Sequence, residues 1–145
     1  MISPRRTLAG LALGFFATAG HTEVIVKDPW VAEAPPTAMV LAGFMTLENT
    51  DATERHLVRA DAPGFDRVEL HRSFEVDGVH RMERQDSINI PANGSVRLAP
   101  GGYHVMLIGV QEPKRDGDVI PLTLVFKNGE EMILSVPVKR REFMK

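Results

Sequence analysis

The chain has 145 residues, 43% hydrophobic and 25% charged, the make-up of one ordinary globular domain with a single core. Seventeen basic and 19 acidic side chains leave no positive excess, which argues against a nucleic-acid binder and its basic stripe. There is no cysteine, so disulfides and thiolate metal sites are excluded.

Residues 1–19 read as an export signal. A short basic start, MISPRR, leads into the apolar run TLAGLALGFFATA. That run is too short to cross a bilayer, which takes about 20 residues. Ala17-Thr18-Ala19 has the A-x-A form of a cleavage site. Arg5-Arg6 fits the basic start of any leader better than a dedicated twin-arginine signal. Cleavage after Ala19 would leave 15 basic and 19 acidic residues, a formal charge of −4. Residues 20–145 are then one exported domain.

That domain reads as β almost throughout. TEVIVKDPW alternates and is expected to stop at Pro29, and EAPPT is a stiff, extended break. AMVLAGFMTLENT is a long apolar strand ending in turn residues, and HLVRADAP a short one. DRVELHRSFEVDG alternates clearly: Val68, Leu70 and Arg72 share one face, Glu69, His71 and Ser73 the other. Asp77-Gly78 is a hairpin signal, with VHRMER as the returning strand. INIPANGSVRLAPGG holds two short strands around the turn PANG, YHVMLIGV is strongly apolar, and EPKRDGD is a polar loop. VIPLTLVFKNGEEMILSVPV is a final hairpin around KNGE, and residues 139–145, KRREFMK, form a charged tail expected to fray. No segment has helical periodicity. Short strands at this spacing predict an all-β sandwich or barrel.

Motifs for nucleophilic catalysis, phosphate cradling and H-E-x-x-H zinc binding are absent. What remains is soft-donor chemistry. Thioether sulfur and imidazole nitrogen suit Cu(I) better than the oxygen-seeking Mg, Ca or Mn. On a strand, residues i and i+2 share a face, so His104 and Met106 can aim at one point. His80 and Met82 share a face of the returning strand, and His71 lies on the polar face of its own. His71, His80, Met82, His104 and Met106 are therefore the candidate ligands. Taken singly, a strand histidine is more often hydrogen-bonded or exposed, and a strand methionine more often core filler. Met39, Met45 and Met132 are read as core, His56 as surface, His21 as incidental, and Trp30 as packing over the barrel.

At these residues the chain resembles the periplasmic copper chaperones called PCu(A)C. Their signature is His, ten residues, Met, twenty-one residues, His, any residue, Met; here it falls on His71, Met82, His104 and Met106. DPWVAEAPP, FMTLENT, RVELH, DGVHRM, LAPGGYHVMLIGV and GDVIPLTLVF resemble further family segments, covering roughly residues 24–138. Two features depart from the family: Arg72 and Ser73 follow His71 where a second methionine is common, and the tail carries Met144 alone where some members have a His/Met-rich extension.

The resemblance implies a cupredoxin-like Greek-key sandwich or barrel. It implies a non-enzymatic Cu(I) carrier in the periplasm, with His71, Met82, His104 and Met106 as metal ligands. It also implies delivery toward the binuclear CuA centre of cytochrome c oxidase, with that oxidase's copper subunit or Sco-type thiol proteins as partners. General copper storage or tolerance and a metal-free interaction or adhesion module are the alternatives. A blue-copper electron carrier is set aside, because that site needs a cysteine thiolate. A copper enzyme is disfavoured, since no second catalytic group is evident.

Overall fold

The computed structural model describes residues 24–141. The export signal and His21 lie outside them, as do residues 142–145 of the tail. The described chain is all β, with no helix. Ten strands follow in order: β1 Val24–Ala32, β2 Val40–Asn49, β3 Arg55–Asp61, β4 Arg67–Val76, β5 Val79–Arg84, β6 Ile88–Ile90, β7 Gly94–Leu98, β8 Tyr103–Ile108, β9 Val119–Phe126 and β10 Glu131–Lys139.

The strands are hydrogen-bonded in the order β5-β4-β8-β7-β2-β1-β10-β9-β3-β6, with β8 also paired to β2. β2 is shared: Val40 to Gly43 pair with β8, and Met45 to Asn49 with β7. A short parallel register, Val31 with Val138 and Ala32 with Lys139, joins the layer containing β1 to the layer containing β9 and β10. β3 packs on β4 and β6 on β7, so the layers close over one core.

Alternation builds that core. On β8, Val105 and Leu107 are fully buried, and on β9 so are Leu122 and Leu124. Leu70 of β4 and Leu41 and Leu47 of β2 point the same way. The residues between them must face outward from the sheet, and this places the candidate ligands.

Asp77 and Gly78 both have positive φ, 50° and 78°, as a two-residue hairpin turn with the right twist requires. The first strand does not stop at Pro29. Asp28 takes a left-handed conformation (φ 50°), and the register slips between Lys27 and Trp30. The bulge absorbs the proline, which has no N–H for the ladder, and the strand resumes with Trp30 opposite Phe44. β10 also runs further than the expected fray at 139: Lys139 pairs with Ala32, and Arg140 bonds Glu33 at 3.0 Å. Met39 is not core. It is 62% exposed ahead of β2, where its carbonyl accepts from the Gly109 and Val110 N–H groups. Met45 is buried and Met132 packs against the core as expected.

Gly109 ends β8 at φ 75°, and a Cβ there would run into the Asp66 side chain. Gly109→Ala is therefore expected to lower stability by about 1–3 kcal/mol, read as a lower urea midpoint at unchanged slope.

Candidate metal centre

Three adjacent strands, β5, β4 and β8, carry the candidates. His71 of β4 lies directly opposite His104 of β8, Glu69 opposite Met106, and Ser73 opposite Met82 of β5. Directly opposed residues share a face, so His71, Met82, His104 and Met106 all stand on one side of the sheet. It is the side away from Leu70, Val105 and Leu107. Both methionines are diagonal neighbours of His71, one on each flank. Diagonal neighbours lie about 7–8 Å apart at Cα, within reach of long side chains.

The histidines meet. Their ring centroids are 5.8 Å apart with planes inclined 44°. His104 is buried and Met106 half-buried, whereas Met82, on the exposed edge strand β5, is 54% exposed. His80, the additional donor, is not part of the cluster. It lies toward the hairpin tip, opposite Glu75, with its side chain 90% exposed. His56 is half-buried beside Glu54 at 3.4 Å.

Each ring is held from one side. His104 Nδ1 is 3.2 Å from the Gly102 carbonyl. A carbonyl only accepts, so Nδ1 carries the proton and Nε2 the lone pair. His71 Nε2 is 2.7 Å from Glu69 Oε2, and the other oxygen of Glu69 takes the Arg67 guanidinium at 3.1 Å. His71 Nδ1 is buried with no hydrogen-bond partner. A buried polar nitrogen without a partner is costly and calls for an explanation. Glu69 is held below the usual carboxylate range by its bonds from His71 and then Arg67.

His104 is part of an aromatic contact line. Phe44 lies 6.4 Å from His104, Trp30 5.0 Å from Phe44, and the Arg141 guanidinium 5.8 Å over the Phe44 ring. Four rings from β1, β2, β8 and β4 thus cross the sheet in a row. This covers His104 on the side away from His71. Burial is the main reason that its pKa lies below the ordinary 6.5, and the neighbouring His71 adds to the depression.

The sign for stability follows. Above pH 6.5 His104 is neutral in both folded and unfolded chains. As pH falls from 6.5 toward the lower folded value, the unfolded chain takes a proton that the folded chain refuses, and stability declines. The urea midpoint of metal-free protein should therefore drop between pH 7.5 and 5.5. His104→Leu should flatten that dependence.

Among the described residues, no group of three or more His, Asp or Glu side chains is arranged to hold a metal ion. The four residues sharing this face offer two imidazoles and two thioethers, donor types suited to a soft, low-charge ion. Glu69 is the residue that sequence reasoning passed over. It shared the polar face with His71 two positions away, a signal visible in the alternation, but nothing local said that the two side chains would bond.

The LpqE-like family matches residues 24–138. The protein Lxx21020 of Leifsonia xyli subsp. xyli (strain CTCB07) is 30% identical over 146 residues, covering 92% of this chain and 87% of its own. DR1885 of Deinococcus radiodurans is 29% identical and has been solved in two forms. The apo form superposes with a TM-score of 0.65, covering 97% of this chain and 93% of its own. The Cu(I) form superposes with a TM-score of 0.63, covering 88% and 85%. The copper-bound PCuAC domain from PmoF2 (22% identity, TM-score 0.69, covering 82% and 94%) shares the all-β, cupredoxin-like fold.

Proposed function

The chain belongs to the LpqE-like family, and from that footing we propose that it is an extracytoplasmic copper carrier. It holds one Cu(I) through His71, Met82, His104 and Met106. The observation that carries this reading is the pair of touching imidazoles, His71 and His104, flanked on one sheet face by two methionines. The likeness to DR1885, a protein solved with Cu(I) bound, supports the choice of ion.

The ion is cargo: only its coordination bonds are exchanged, and no substrate is transformed on it. Neutral imidazole and thioether donors bind a monovalent soft ion without the charge of thiolates, so release stays feasible. The placement of the ligands makes release directional. His104 is walled in by Phe44 and His71, whereas Met82 faces solvent on an edge strand. A partner's donor would displace Met82 first and draw the ion outward while the histidines still hold it. Export to the periplasm under the signal at residues 1–19 fits a cysteine-free site. Delivery toward the CuA centre, through the oxidase's copper subunit or a Sco-type thiol protein, is the destination in this reading.

The test is a titration of the mature protein with Cu(I) against a chromogenic chelator. One equivalent should be withheld from the chelator. A protein that withholds none would leave only a metal-free interaction module. Delivery is tested separately, by mixing loaded protein with the apo oxidase domain and following the CuA absorption.

A further inference from the structure

We propose that Glu69 is a positioning residue that locks His71 in the Nε2–H tautomer, so that His71 presents Nδ1 to the metal while His104, opposite, presents Nε2. The inference rests on the carrier reading for the identity of the ion, but its first measurement does not need copper.

Glu69 accepts from Arg67 on one oxygen and offers the other as an acceptor to His71, so the 2.7 Å contact puts the proton on His71 Nε2. Neutral imidazole then has its lone pair on Nδ1. That is the atom buried without a partner. The structure thus leaves one buried nitrogen of His71 unoccupied by protein, and its protonation is dictated from the far side of the ring. His104 is oriented by a different device, the Gly102 carbonyl on Nδ1, which leaves the opposite nitrogen as its donor. Two histidines facing each other across one strand pair would therefore ligate through unlike nitrogens. A carboxylate behind a ligating imidazole also fixes the plane of its ring. Arg67, bonded to the other oxygen at 3.1 Å, keeps Glu69 pointed along the strand.

The experiment is ¹⁵N long-range NMR of the imidazoles, before and after one equivalent of Cu(I), in wild type, Glu69→Ala, Glu69→Gln and the same-face control Ser73→Ala. Metal-free wild type should show His71 with Nε2 protonated. Cu(I) should move His71 Nδ1 and His104 Nε2. Glu69→Ala should leave His71 a mixture of tautomers and weaken Cu(I) binding about 10- to 100-fold. Glu69→Gln, which keeps an acceptor oxygen, should recover part of both, and Ser73→Ala should match wild type. Metal-free His71 with Nδ1 protonated, or Cu(I) acting on His71 Nε2, would overturn the inference and leave the carrier reading standing. Wild type with the expected tautomer but no copper uptake would instead remove the carrier reading, and the ligation assignment with it.

Discussion

Replacing His104 by leucine should weaken Cu(I) binding by at least about 100-fold, equivalent to roughly 2.7 kcal/mol. In the proposed site His104 contributes one of two nitrogen donors, and it is the more buried of the two histidines, lying between the tilted rings of Phe44 and His71. Neither solvent nor a neighbouring side chain is placed to stand in for it. Leucine keeps most of the volume, so the ring row should stay packed and the loss should belong to the donor rather than to collapse. Competition with a chromogenic Cu(I) chelator gives the affinity, and near-ultraviolet circular dichroism checks the packing around Trp30. Met82→Ala should cost much less, about 10-fold, because its position is open to water and to exogenous donors. Equal losses in the two variants would contradict the division into a buried anchor and an outer, exchangeable ligand. An unchanged affinity in His104→Leu would remove this residue from the site altogether.

Leu107→Ala should have the opposite profile. Leu107 is fully buried, three positions after His104 and adjacent to Met106, but on the other face of β8. Truncation removes buried apolar atoms and leaves a cavity that a closed β sandwich can fill only in part. The expected cost is about 2–5 kcal/mol of folding stability. A urea titration should show a sharply lower midpoint with a similar slope. Below that transition, the fraction that remains folded should bind Cu(I) with nearly wild-type affinity, since no donor has changed. Neighbouring positions on a single strand would then separate cleanly, one face setting affinity and the other stability. A Leu107→Ala protein that folds normally but loses copper would contradict this assignment of faces.

Several of the strands and their faces were legible because alternation is a local property. Val68 and Leu70 against Glu69 and His71 can be read from four letters, and the Asp77-Gly78 turn from two. Pro29 misled for an equally local reason. A proline normally ends a ladder, but the left-handed Asp28 lets the chain bulge and resume. Met39 misled because an apolar residue before a strand looks like its first core position, whereas β2 begins one residue later, at Val40.

The buried Asn49 shows the limit most plainly. Its side-chain amide donates to the carbonyls of Thr53, Ile90 and Pro91, at 2.9, 3.3 and 3.1 Å. In ENT it reads only as a turn residue. Two of those acceptors lie more than forty positions away, and only folding brings them near.

The sequence by itself determined the β character, the soft, thiol-free donor chemistry, and which residues share a face within each strand, because these depend on residue type and on a period of two. The tertiary structure decided the rest: that His71 meets His104 across a strand pair, that Glu69 takes one nitrogen of His71 and leaves the other bare, and that Met82 is outermost. Those outcomes depend on inter-strand register and sheet order. Both are set by the best burial of the whole core, and no local pattern records them.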